Sequence, residues 1–173
     1  MGKLVSIAAV LAVVGAFSGC ADIQQQIVAS ARQHGDHVTT TPEQLWKENI
    51  CNRSDRPFIK VESLQVLPEK IKPGGRVNYR LTYAMCPSSK FSETLAAKTT
   101  RTIRYKGAEV ARNSKDDIVI KAGRWAVDSF FTLPPEAPLG VYALDVTVQA
   151  PSGQSQNLVR SFVVSNDFHL SGQ

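Results

Sequence analysis

The chain is poor in the residues that most often do chemistry. Among 173 residues it holds three histidines, three cysteines and two tryptophans. It contains no Gly-x-Ser-x-Gly elbow, no glycine-rich phosphate loop and no His-Glu-x-x-His. The arrangements that activate a serine, cradle a phosphate or hold a catalytic zinc are therefore missing. Ser88-Ser89-Lys90 contains a Ser-x-Lys, but the surrounding sequence supplies neither a second base nor an oxyanion loop. His34 and His37 flank Asp36 in a polar stretch where nothing preorganises metal ligands. Asp116 and Asp117 follow Lys115 in what reads as a hairpin-like turn, without the evenly spaced oxygens that calcium needs. The expectation is a chain that is not an enzyme and has neither cofactor nor metal. Runs of positive charge are also missing. The net charge is +5 and no five basic residues are consecutive, so nucleic acid is not an expected partner.

Long apolar runs are scarce too. One stands out: after Lys3, no charged residue occurs from Leu4 to Phe17. This run is shorter than the roughly 20 residues of a membrane span. No cation follows closely enough to act as a stop-transfer flank, the next being Arg32. A cationic start, a short apolar stretch and a small-residue junction make a secretory signal. The junction Phe17-Ser18-Gly19-Cys20 resembles the lipobox of bacterial lipoproteins, with Phe17 where leucine is usual. The resemblance implies diacylation of the Cys20 thiol, cleavage before it and acylation of the new amino group. Several acyl chains on one residue anchor a protein firmly to a membrane. Ala21, rather than Asp, implies sorting to the outer membrane, with the protein facing the periplasm.

With Cys20 assigned to lipid, Cys51 and Cys86 remain. An oxidising periplasm makes a disulfide between them the expectation, two buried free thiols being the alternative. Residues 1–19 thus read as signal and 20–41 as lipidated cysteine and flexible tether. Within the tether, the four-residue apolar spacing from Asp22 to Arg32 suggests a short helix, but nothing obvious would bury its face, so a mobile or marginal segment is expected. Residues 42–56 read as a short helix and connector. Thr41-Pro42-Glu43-Gln44 carries a capping residue, a proline at the first helical position and a glutamine three after the cap. Leu45 and Trp46 supply its apolar contacts, and its end is expected near Ile50.

From residue 57 to 166 the apolar period becomes two. Val77, Tyr79, Leu81, Tyr83 and Met85 fall on one strand face. Tyr142, Leu144, Val146 and Val148 repeat the pattern, as do Trp125, Val127, Phe131 and Leu133. Weaker strands are expected at 58–67, 99–106, 118–120 and 158–164. A parity slip between Val61 and Leu64 predicts a bulge or a strand that changes partner. Turn sequences at Lys72-Pro73-Gly74-Gly75, Cys86-Pro87, Lys106-Gly107, Pro134-Pro135, Pro138-Leu139-Gly140 and Pro151-Ser152-Gly153 separate the runs. The predicted fold is all-β, a single antiparallel sandwich of about seven strands, followed by a tail at 167–173.

Phe131-Thr132-Leu133-Pro134, then Pro138-Leu139-Gly140-Val141-Tyr142 and an alternating strand, resembles a passage of immunoglobulin-like and macroglobulin-type domains of bacterial envelope proteins. Lys72-Pro73-Gly74 before a strand is its usual companion. The resemblance implies an immunoglobulin-like fold and is almost silent about activity. It also suggests that the Tyr142 hydroxyl reaches a corner backbone group.

Arg76 and Arg80 fall opposite the apolar stripe of their strand, Arg104 and Lys106 occupy one face of the next strand, and Lys121 and Arg124 flank another. If those faces adjoin, one sheet carries a basic docking surface; interspersed Asp116, Asp117, Asp128 and Asp145 favour an ordinary solvated face instead. The leading functional expectation is a non-catalytic, lipid-anchored protein-binding or assembly module with an envelope protein partner. A binding module for glycans or other envelope polymers is the alternative, and an enzyme or enzyme inhibitor comes last.

Overall fold

A computed structural model describes residues 18–48, 51, 58–87 and 94–166. The apolar run, Ser88-Ser89-Lys90, most of the connector and the tail with His169 lie outside these residues. The elements are α1 (Ser18–Ala31), β1 (Gly35–Thr40), α2 (Pro42–Lys47), β2 (Phe58–Leu67), β3 (Lys70–Ile71), β4 (Arg76–Cys86), β5 (Thr94–Tyr105), β6 (Ala108–Lys121), β7 (Gly123–Thr132), β8 (Gly140–Gln149) and β9 (Ser155–Val164). Two sheets form, one in the order β1-β7-β4-β2 and one in the order β3-β9-β8-β5-β6. Every pairing is antiparallel except the short β3–β9 contact. This is an all-β, immunoglobulin-like sandwich.

The alternation in the sequence is what buries the core. Val77, Tyr79, Leu81, Tyr83 and Met85 of β4 all face inward and are buried, as are Tyr142, Leu144, Val146 and Val148 of β8. Phe162 fills the middle, packed against Phe131 and Tyr142. The bulge predicted on β2 is present: its register against β4 shifts between Val61 and Ser63. The corner is also as the resemblance implies. The Tyr142 hydroxyl donates to the Pro138 carbonyl at 3.0 Å. Gly140, at φ +139°, brings the backbone against the Tyr105 ring, 3.2 Å from where a Cβ would sit.

Three expectations need correction. Residues 35–40, assigned to the tether, form β1 and pair with β7 as an edge strand. Val38 is exposed and five of the six residues are polar or glycine, so no alternating apolar signal marks the strand. Its backbone pairing and the Lys121–Asp36 ion pair at 2.6 Å hold it. The helical part of the tether is also docked: Ala29 of α1 is buried, and the Gln25 side chain accepts from the Glu69 backbone at 3.2 Å. Finally, Asp116 and Asp117 lie within β6, not in a turn. The turn is at Lys106 and Gly107, both at positive φ (49° and 83°), which closes a two-residue hairpin with Tyr105 opposite Ala108. That tight turn carries the polar run from Arg112 onward into register with β5. With β1 and β3 added, nine strands are described instead of about seven.

The α2 helix begins as its sequence dictates. Thr41 and Gln44 make a capping box, and Leu45 is fully buried. The helix ends at Lys47, earlier than expected, and Trp46 points outward. Leu45 packs with Cys51, Ala84 and Cys86 in a small second core. Cys51 and Cys86 form the disulfide, with their Cα atoms 5.4 Å apart.

Tyr83 ties the sheets together near the β6 end. Its hydroxyl accepts from the Lys121 backbone N–H at 3.1 Å. Burial, helped by the charge of Asp36, pushes its pKa up to about 12. An unfolded tyrosine titrates near pH 10. The folded state therefore keeps a proton that the unfolded state gives up. The stability this provides is whole below about pH 10 and is lost as pH rises toward 12. Urea midpoints measured from pH 8 upward are expected to fall in that window, and Tyr83→Phe is expected to flatten the fall.

Candidate docking edge and the fate of the basic residues

The two sheets meet differently at their two sides. On one side β2 and β9 are stitched together. The Gln156 side chain bonds both the Val61 N–H and the Ile59 carbonyl, and Arg160 Nε donates to the Leu64 carbonyl at 2.8 Å. On the other side the Lys121–Asp36 ion pair joins β6 to β1, and a cavity lies between the sheets. There β6 is the terminal strand of its sheet and β1 the terminal strand of the other. The outer edge of β6 pairs with no strand among the described residues, and the strand runs for 14 residues. Unpaired N–H and C=O groups along such an edge are a template for another chain. Val110 and Val119 stand exposed on it.

Behind this edge lies a cavity of about 350 Å³, lined among others by Tyr79, Arg101, Lys115, Ile118, Val127 and Ser129. Arg101 is opposite Val146, whose side chain is in the core, so the guanidinium enters the gap between the sheets. It donates to the Tyr79 hydroxyl at 2.8 Å and to Asn113 Oδ1, and it lies 5.8 Å from the Tyr79 ring centre. No carboxylate among the described residues forms an ion pair with it. Sequence reading missed Arg101. It follows two threonines in a strand of weak alternation, and only the register against β8 reveals which way it points.

The four basic residues expected on one face are divided. Arg76 and Arg80 lie on β4, on the outer face of the four-stranded sheet. Arg104 lies on β5 and Lys106 in the turn after it, both in the other sheet. Their faces do not adjoin, so no shared basic surface forms. Acidic partners also take up much of the charge. Arg80 grips Asp128 through two bonds of 2.9 and 2.7 Å, and Arg104 approaches Asp145 at 3.8 Å. Lys106 stands over the Tyr105 ring. Arg124 is held by Glu62 and Glu48. Hydrogen bonding to Asp128 raises the Arg80 pKa, whereas burial lowers that of Arg32 beside it. Arg80 lines a cavity beside Asp128, where its charge is paired, and Arg76 lines another, with its guanidinium 3.9 Å from the centre of the Phe130 ring.

His34 and His37 are exposed, and no cluster of three potential metal ligands occurs among the described residues. No described helix is long and apolar enough to cross a membrane. Cys20 falls in the first turn of α1.

No protein family and no curated protein matches this sequence. Solved structures share its chain path at low identity. One is a Paenibacillus sp. cycloisomaltooligosaccharide glucanotransferase, at 20% identity and TM-score 0.48, over 63% of this chain and 14% of that one. Another is the alkylpurine DNA glycosylase AlkC of Pseudomonas fluorescens, at 17% identity and TM-score 0.44, over 61% of this chain and 30% of that one. A CARDB domain from Pyrococcus furiosus matches at 16% identity and TM-score 0.41, over 66% of this chain and 91% of that one. The chain thus spans only a small part of the first two. These are likenesses of fold, and what those proteins act on stays with them.

Proposed function

We propose that this protein is a lipid-anchored, non-catalytic envelope module that binds a partner by adding an extended segment of it to β6. The observation that carries the reading is the 14-residue β6 edge, open on one side and backed by the Arg101 cavity. Main-chain pairing along an edge supplies affinity, and pockets behind it select side chains. An acidic side chain on the added segment would meet Arg101. The anchor is Cys20, whose surroundings in sequence resemble a lipobox, and the compartment is the periplasmic face of the outer membrane. The charges along β6 (Glu109, Arg112, Lys115 and Asp116) keep the free edge from pairing indiscriminately.

The reading is tested in cells with a photocrosslinking residue placed at Val119 on β6 or at Val159 on β9. Both sites are exposed. One envelope protein is expected from the β6 position and not from the β9 position. Val119→Glu is expected to cut its capture about tenfold, equivalent to about 1.4 kcal/mol of binding. Equal crosslinking from both positions, or none from β6, would refute edge docking. In the same cells, Cys20→Ser is expected to move the protein from the membrane to the soluble fraction.

The polymer-binding reading rests on Trp46, which is 43% exposed on α2. Among the described residues the other exposed aromatic, Phe58, stands on a separate element. Retention of the crosslinked protein by polysaccharide, lost on Trp46→Ala, would favour that reading.

A further inference from the structure

The second cavity worth attention is on the opposite face of the four-stranded sheet. It measures about 550 Å³, within the ~300–1,000 Å³ range of small-molecule sites. Helix α1 roofs it with Ala29 and Ser30. Ile71, Pro68, Asn78 and Phe130 form its walls and floor, and Arg32, Lys72 and Arg76 supply charge. Among the described residues three cations line this space and no acidic residue does.

The bonding around it separates the roles of the cations. Arg32 is committed to the protein: it donates to Asn78 Oδ1 and Gln65 Oε1, both at 2.9 Å, and lies 3.9 Å from Asp128. Those bonds pin the end of α1 over the sheet and hold the cavity open beneath it. Asn78, itself buried, is fixed further by donating to the Ser129 carbonyl at 3.3 Å. Arg76 is different. It is exposed, it forms no ion pair among the described residues, and its guanidinium carbon lies over the Phe130 ring, 3.9 Å from the ring centre. An arginine held over a ring face can still donate two parallel hydrogen bonds to a carboxylate. The apolar wall of Ala29, Pro68, Ile71 and Phe130 adjoins that cation.

We infer that this cavity binds a single-chain amphiphile with a carboxylate head, a free fatty acid being the chemical type. The chain lies between α1 and the sheet against Ile71, Pro68 and Phe130. The carboxylate pairs with Arg76. Charge complementarity sets the sign of the head, and the apolar wall under the helix sets the nature of the body. The inference is independent of partner docking at β6, which uses the other side of the molecule.

The test uses the full chain carrying Cys20→Ser, in buffer free of detergent, with laurate titrated calorimetrically below its micellar concentration. Dodecanol and dodecyltrimethylammonium serve as matched probes. Saturable laurate binding is expected, at least tenfold tighter than either probe. Arg76→Ala should weaken it at least tenfold, Arg76→Lys should retain part of it, and Arg104→Ala on the other sheet should leave it unchanged. Ala29→Leu, which fills the cavity from its roof, should abolish binding in a protein of unchanged melting temperature. The inference is overturned if laurate does not saturate, if dodecanol binds as tightly, or if Arg76→Ala binds as the parent does. It is equally overturned if an oligoglutamate peptide, and not laurate, shows the dependence on Arg76.

Discussion

Replacing Asp128 with alanine is expected to destabilise the fold by about 3 kcal/mol, the low end of the roughly 3–5 kcal/mol seen when one partner of a buried ion pair is removed. Asp128 is 2% exposed, on the outer face of β7. It accepts two bonds from Arg80 and lies within 3.9 Å of Arg32. Without it, two guanidinium groups face each other across a closed site. The Arg80 side chain keeps 27% of its exposure, so water relieves part of the cost. That is why the lower figure is the expected one. The loss should also reach the helix, because Arg32 is what pins the end of α1. Urea unfolding of Asp128→Ala should show the lower midpoint, and proteolysis should cut first within 24–34. Removing both charges together, as Arg80→Met with Asp128→Leu, should recover most of the stability, because a buried pair often does no better than apolar residues of similar volume. A double variant as unstable as Asp128→Ala would mean that the site depends on this particular pair.

Breaking the disulfide is the second large effect. Cys51 and Cys86 close a loop with a sequence separation of 35. In the chain-entropy account a loop of that length contributes roughly 3–4 kcal/mol by restricting the unfolded chain. Cys51→Ala with Cys86→Ala should lose about that much by urea unfolding. The parent protein should lose the same on addition of reductant, and the double variant should be insensitive to it. The local consequence follows from packing. Leu45, Ala84 and the two cysteines form their own small core, so loosening Cys51 also frees α2 from β4. Trp46 fluorescence should report that release before the main transition.

Both effects sit on residues whose roles were unequally visible. The cysteine pair emerges from counting once Cys20 is set aside, and the compartment argument then proposes the bond. Asp128 has no such signal. It is an acid between Val127 and Ser129 in an alternating strand, and alternation points it to solvent. The face it points to is covered by α1, which belongs to a segment whose composition reads as tether. Local pattern reports which side of a strand a residue occupies. It does not report whether another element covers that side.

The same limit explains the basic residues. In the sequence, Arg76 and Arg80 share one face of a strand, and Arg104 and Lys106 share one face of the next. Parity does not say which sheet a strand joins. In a sandwich a chain can pass from one sheet to the other between consecutive strands, and it does so here between β4 and β5. That change placed two of the four residues on the far side of the molecule. It also turned Arg101, which has no basic neighbour on its own face, into the cation of the inter-sheet gap. The long β6 was hidden for a related reason. Arg112 to Asp117 are all polar, so no apolar stripe marks that part of the strand, and Asp116 and Asp117 read as turn.

What the sequence by itself determined is the set of properties that local chemistry dictates. Period-two alternation specified the inward faces of β4, β7 and β8, since a one-residue slip would expose each core face. The resemblance of Pro138-Leu139-Gly140-Val141-Tyr142 to the corner passage of immunoglobulin-like domains implied the corner at Tyr142. The capping residues specified the start of α2. What only the tertiary structure decided is everything that depends on elements distant in sequence: the docking of α1 and β1, the burial of Asp128, the free edge of β6 and the two cavities. These are set by which surfaces meet once strands pair over long separations, and no short window of the chain contains that information.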